Sequence, residues 1–220
     1  MAGAVIPPEA PRDCALCPRL VAYRQTIARA EPGWHNAPVD SFGDANAKLL
    51  IVGMAPGRGG ANRTGRPFTG DGAGDLLYKA LAKHGFSSGN YSRNGDDDLV
   101  LNGCMITNAV RCVPPQNKPT GEETRNCRPF LVSRLAHLPK VVILLALGRI
   151  AHDNVLSTLG LRRAAWKFSH NARHDLGRKP RRLVLFDSYH CSRYNTNTRR
   201  LTEQMFDEVF EAVKKELNTD

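Results

Sequence analysis

No apolar run in this chain is long enough to cross a membrane: the longest, residues 141–147, falls far short of the roughly 20 residues a bilayer core requires. The first twelve residues, MAGAVIPPEAPR, carry neither a basic n-region nor a long apolar h-region, so a cytoplasmic protein is expected. No internal repeat or low-complexity segment is present. Acidic residues are scarce, with Asp+Glu 21 against Lys+Arg 31 and a formal net charge of +10 at pH 7. Such a balance favours polyanionic partners through phosphate neutralisation and counterion release, but many basic proteins bind nothing specific. The glycine-rich stretch 53–60 contains neither GxxxxGK[ST] nor GxGxxG, which excludes a phosphate loop. Six cysteines occur without an export signal, which disfavours a disulfide framework and leaves metal binding or catalysis. Clustered ferredoxin spacing is also missing, which argues against an electron-transfer protein.

What is there reads as one soluble domain over residues 1–220, with 41% hydrophobic and 24% charged residues, enough for a sizeable core. Short continuous apolar runs at 49–52, within 99–110, at 141–147 and at 183–186 predict strands buried on both faces. Between them lie helical patterns. Asp13 can cap a helix with Leu16, Leu20, Val21 and Ile27 at helical spacing, ended by Pro32-Gly33 and carrying Cys14 and Cys17 on its first turn. Further helices are expected over 75–84, over 120–135 behind a Thr120-x-x-Glu123 capping box, after Gly148, and after Thr202, where Met205, Phe206, Val209, Phe210, Val213 and Leu217 form the buried side. The alternation predicts an α/β class: a single domain, three-layer α/β/α, with a central, mainly parallel four-stranded sheet. Ligands gather at the carboxyl ends of such strands.

Cys14-x-x-Cys17 lets two thiolates reach one metal centre from a single turn. Cys112 and Cys127 bracket a proline-rich loop and could complete four ligands, or either could be a buried small hydrophobe. Four thiolates suit zinc as well as a cubane cluster. Cys104 reads as a core thiol. The stretch 62–71 gathers two arginines, an aromatic and a carboxylate, which suits a site holding a planar ring beside a phosphate. His190 follows the fourth strand, where a sheet of this kind meets its ligand, although a lone histidine is usually structural or solvated. Residues 162–182 carry eight basic side chains against Asp175, either a solvated loop or a track for phosphates.

Together the segments CALCPRLVAYR, GMAPGRGGANRTGRPFTGD, ITNAVRCVPPQNKPTGEE and SYHCSRYNTNTRRLT resemble, in order, the iron-sulfur uracil-DNA glycosylases. NRTGRPFTGD and NAVRCVPPQNKPT point to the family 5 branch; family 4 relatives have a glutamate where this chain has Met54. The resemblance implies hydrolysis of the N-glycosidic bond of uracil and related deaminated or damaged bases in DNA, the first step of base excision repair. It implies a [4Fe-4S] cluster on Cys14, Cys17, Cys112 and Cys127. Gly53, Met54, Phe68 and Asn108 would bind the flipped base. His190 would donate to the departing base, Asp71 would orient water or support the sugar cation, and Asn117 would assist. Arg63, Arg66, Ser192, Arg193 and Tyr194 would contact DNA. Cys191 stands where the branch usually has proline, placing a thiol beside the expected site, and Tyr194 could wedge into the gap left by the flipped base. The partner implied is DNA containing uracil or other damaged bases, met by a monomer without membrane contact in a nucleoid-associated cytoplasmic setting. The rival reading is a cluster- or zinc-stabilised module that binds nucleic acid without cutting it.

Overall fold

A computed structural model describes residues 7–177 and 181–219. In chain order its elements are α1 (Pro18–Ala30), β1 (Phe42–Gly43), β2 (Leu49–Gly53), α2 (Ala61–Thr64), α3 (Gly72–Lys83), β3 (Ser87–Ser88), β4 (Val100–Leu101), β5 (Cys104–Asn108), α4 (Gly121–Ala136), β6 (Ile143–Leu147), α5 (Arg149–Thr158), β7 (Arg173–Asp175), β8 (Val184–Ser188), α6 (Arg193–Asn197) and α7 (Glu203–Leu217). The main sheet runs β1-β5-β2-β6-β8-β7. Its four inner strands are parallel, as expected, and its two edges are antiparallel. It therefore has six strands rather than four. The inner strands are buried at every residue and so spell continuous apolar runs. The edges, Phe42–Gly43 and Arg173–Asp175, are short and partly exposed, which erases the sequence signal and also discourages further pairing.

Side chains alternate across the sheet and create a core on each face. Leu49 and Ile51 pack with Leu77 and Leu81 of α3 and Phe206 and Phe210 of α7. Leu50 and Val52 pack with Leu131 and Leu135 of α4 and Val155 of α5. That is the three-layer arrangement, and each such fully buried side chain contributes about 1.5–3 kcal/mol. The Thr120–Glu123 capping box and the Thr202 cap both form.

Three local expectations change. The first helix begins at Pro18, because proline suits a first helical position; Asp13 does not cap it, Cys14 and Cys17 precede it, and Leu16 is 53% exposed. Helix α3 begins three residues earlier than expected because Asp71 accepts a 3.1 Å hydrogen bond from Ala73 N–H. Residues 99–110 hold two strands, β4 in a small hairpin with β3, and then β5.

From β2 the chain crosses to β5 on one side and then to β6 on the other. The strand order reverses there, and a crevice opens at the carboxyl ends.

Candidate functional site

The loops leaving β2, β5, β6 and β8 enclose a cleft of about 840 Å3. Met54, Phe68, Asp71, Asn108, Asn117 and His190 line it, and Ser192, Arg193 and Tyr194 join them from the start of α6. Gly53 lies beneath the lining, opposite Asn108 in the β2–β5 register. A Cβ at Gly53 would overlap Asn108 Oδ1 and come within 2.7 Å of the Phe68 ring, so only glycine lets ring and amide close over this strand end.

Asn108 is buried, and its Oδ1 has no hydrogen-bond partner among the described residues. Such an orphaned acceptor costs about 1–3 kcal/mol, which a ligand N–H would recover. Phe68 is 8% exposed yet has φ +54°, a left-handed backbone that is a genuine outlier for a bulky side chain and persists where the surroundings enforce it. Its ring stacks on His190 with centroids 5.7 Å apart and planes 29° apart. The His190 imidazole makes no hydrogen bond to the described residues, while its carbonyl accepts from Asn195 Nδ2 at 2.8 Å. Burial lowers the His190 pKa, against the opposing pull of the Asp71 carboxylate. The ring is thus neutral at pH 7, with one N–H to donate.

Asp71 serves the fold and the cleft at once. Its Oδ1 caps α3, and its Oδ2 faces the glycine lip so closely that a Cβ at Gly60 would overlap it. Asn117 sits exposed at the rim with φ +55°. Ser192 caps α6 through Asn195 N–H at 3.4 Å, Arg193 is exposed beside Gly72, and Tyr194 is 72% exposed.

Arg63 and Arg66 lie outside the cleft. Arg63 donates to Gly59 O at 3.0 Å, Arg93 O at 3.1 Å and Asn94 Oδ1 at 3.3 Å, tying neighbouring loops together. Arg66 grips Asp97 at 2.5 Å and Thr69 Oγ1 at 2.8 Å, with the rings of Phe42, Tyr78 and Tyr91 around it. Its hydrogen bonds hold the Asp97 carboxyl down to about 2. Arg66 is engaged within the fold and offers DNA no free face, contrary to expectation. Cys191 also differs: it is wholly buried in the core, where burial pushes its thiol up, so its thiol does not border the cleft. Cys104 is a core thiol, as expected.

Within the basic segment, Arg173 and Arg182 pair with Glu216, and Arg181 donates to the carbonyls of Leu135 and Leu138. Arg178 and Lys179 lie outside the described residues. Arg162, Arg163 and Lys167 are exposed. Phe168, Tyr189, Arg149 and Arg200 also line the cleft, and sequence reasoning missed them. Arg149 follows a buried strand and Gly148, the signal that flagged His190; Phe168 was hidden among basic neighbours. Also missed was a buried trio behind the cleft: Asp187 accepts from His152 Nδ1 at 2.8 Å and from His174 Nε2 at 2.9 Å, and His152 Nε2 donates to Trp166 O at 3.0 Å. Both His152 nitrogens face acceptors, an arrangement that favours the imidazolium. Burial opposes that charge, but the Asp187 carboxylate outweighs it and raises the pKa.

Cys14, Cys17, Cys112 and Cys127 converge on one small pocket beside Leu20 and Phe130. None is in a disulfide. Burial pushes the thiols of Cys112 and Cys127 up to about 12 and about 11, so thiolates here require a cationic centre. Arg111 N–H donates to Cys127 Sγ at 3.2 Å, the kind of outer contact that a sulfur-ligated metal uses, and Asn126 Nδ2 donates to Leu16 O at 3.0 Å beside Cys17. The donor set fits a metal centre.

The Uracil DNA glycosylase superfamily matches residues 41–214. The chain is 49% identical over 208 residues to a type-5 uracil-DNA glycosylase of Thermus thermophilus, covering 92% of this chain and 93% of that protein. It is 42% identical over 202 residues to one of Pyrobaculum aerophilum, covering 90% and 86%. With one of Mycobacterium bovis it shares 40% over 214 residues, covering 92% and 77%.

Proposed function

The chain belongs to the uracil DNA glycosylase superfamily, and from that premise we propose that it hydrolyses the N-glycosidic bond of uracil in DNA as a monomer, opening base excision repair in the cytoplasm, at the nucleoid. The observation that carries the reading is the orphaned Asn108 Oδ1 beneath the Phe68–His190 stack. Uracil offers a donor at N3, which satisfies that acceptor; cytosine presents an acceptor there and leaves it unpaired. Reaching the site requires the base to leave the helix, where it stacks on Phe68 and is read along its edge.

Water adds to C1′ and sheds a proton as the C1′–N1 bond breaks; the bonding electrons go to the base, which ends protonated. His190 donates its N–H to the base oxygen on which that charge collects, stabilisation present only in the transition state. Met54 offers no carboxylate, so Asp71 Oδ2 orients the water or faces the developing sugar cation, with Asn117 nearby at the rim. Arg193 and Ser192 meet the backbone, and exposed Tyr194 fills the vacated stack. The rival binding module leaves an orphaned acceptor and an unpaired imidazole with nothing to do.

Cys14, Cys17, Cys112 and Cys127 would hold a [4Fe-4S] cluster. Spacing supports a cluster over zinc: among the described residues, the only three ligand atoms mutually within 4.8 Å are those of His152, His174 and Asp187. Zinc at about 2.3 Å from each sulfur would draw the sulfurs to roughly 3.8 Å of one another. When bound, the cluster serves as a cross-link joining the turn before α1, the strand end after β5, and α4. Protein purified without oxygen should be brown, with iron and sulfide that Cys127→Ala loses; stoichiometric zinc would contradict this. For the activity, duplexes carrying uracil are incubated with the protein and treated with alkali. Strand scission at the uracil is expected, and intact strands at every enzyme concentration would refute the reading.

A further inference from the structure

A second groove, of about 730 Å3, runs from the cleft between α5 and residues 162–168. Arg149 and Phe168 line both hollows, so the two are continuous. Arg162, Arg163 and Lys167 line the groove and are exposed, and among the described residues none has an acidic partner. Asp153, its one acid, lies 3.9 Å from Arg149. Among the described residues the other cations of the basic segment differ, because Arg173, Arg181 and Arg182 are bound within the fold. The strip is also anchored: Trp166 O accepts from His152, and the Trp166 ring meets His174 edge-on at 5.9 Å. Unpaired cations on a fixed backbone, leading directly into a cleft for an extruded base, match a chain of phosphates.

We propose that this groove carries the phosphodiester backbone of the DNA on one side of the everted nucleotide, with Arg162, Arg163 and Lys167 as phosphate contacts. The inference rests on the glycosylase reading for the direction of the strand, not for the existence of the contact. Contacts of this kind position DNA without reading sequence, and each adds about 0.9 to the slope of log Kd against log salt.

The test compares the intact protein with Arg162→Gln/Arg163→Gln/Lys167→Gln on a labelled duplex lacking uracil. Lys48→Gln/Lys140→Gln/Lys215→Gln serves as control; it removes the same charge from exposed positions that precede β2 and β6 and end α7, at the far pole of the sheet. The groove variant should flatten the salt slope by about 2–3 units. Its thermal midpoint should not move, and its single-turnover excision of uracil at saturating enzyme should stay within about twofold, since the contacts position rather than react. The control should leave the slope nearly unchanged. An unaltered slope in the groove variant, or equal flattening by the control, overturns the proposal. Wild-type protein that excises no uracil while the groove variant flattens the slope would overturn the glycosylase reading and leave the groove as a nucleic-acid site. Flattening with excision intact supports both.

Discussion

Two polar clusters hang from the carboxyl end of β8, and they are finished differently. Asp187, with 0% exposure, has each carboxylate oxygen taken by a histidine, and His152 has both nitrogens taken. A few residues on, the His190 ring faces the cleft without a hydrogen-bond partner among the described residues, and Asn108 with its orphaned Oδ1 lines the same cleft. Residue types are similar; the difference is satisfaction. The paired cluster locks the strip carrying Trp166 onto the sheet, while the unpaired one costs stability that a ligand restores. Histidines and carboxylates at strand ends do not by themselves mark a site; unmet hydrogen-bonding capacity does.

Breaking the paired cluster should have the largest effect on stability. Asp187→Asn removes the buried carboxylate that His152 and His174 both bond to and should cost about 3–5 kcal/mol, lowering Tm by roughly 6–20 °C in a chain of this size; calorimetry checks this. His190→Ala should do the reverse, removing about 2.7–4 kcal/mol of transition-state stabilisation, a 10²–10³-fold loss in single-turnover rate, with Tm and DNA affinity retained. Asn108→Leu, which replaces an unpartnered amide by an apolar group of similar shape, should abolish uracil selection and raise stability by about 1–3 kcal/mol, read as a higher urea midpoint. A fall in that midpoint would mean that Asn108 is satisfied in the free protein and would erase the contrast.

Acidity separates the clusters more gently. His152 has a raised folded pKa, so its contribution to stability is full below the unfolded value of about 6.5 and is lost as pH rises through the folded value. His190 has a lowered one, so the unfolded chain takes up its proton first. The fold is then destabilised as pH falls from about 6.5 toward the depressed value, and excision should persist below pH 6.5 before failing. Urea midpoints of wild type and His190→Ala across pH 5 to 8, with rates alongside, check both signs; a rate titrating above pH 6.5 would contradict a neutral His190.

Much of this was legible in the sequence wherever burial wrote a continuous signal. The inner strands, the caps at Thr120 and Thr202, and the strand-end positions of Asn108 and His190 all follow from apolar runs and side-chain chemistry. The edge strands were silent because Phe42–Gly43 and Arg173–Asp175 are too short and polar to show a period. Arg63 and Arg66 read alike as cations near a ring, and only tertiary partners such as Asp97 reveal that Arg66 is engaged internally. The Asp187 trio joins three segments of the chain, and no local pattern announces it. Asp71 was legible as a carboxylate but not as the cap of α3, since the glycines after it disguise the helix start.

That double duty makes Asp71→Asn a useful companion to His190→Ala, because asparagine caps helices as well as aspartate does and the substitution removes only the charge. The most direct test of the account is the single-turnover rate of wild type, His190→Ala and Asp71→Asn on duplexes carrying uracil or 5-fluorouracil. Fluorine withdraws electrons from the departing base and lessens its need for a donor, so His190→Ala should lose a smaller factor on 5-fluorouracil than on uracil, whereas Asp71→Asn, acting on water or sugar, should lose about the same on both. Equal losses for His190→Ala on the two bases would contradict the claim that the unpaired imidazole serves the leaving group.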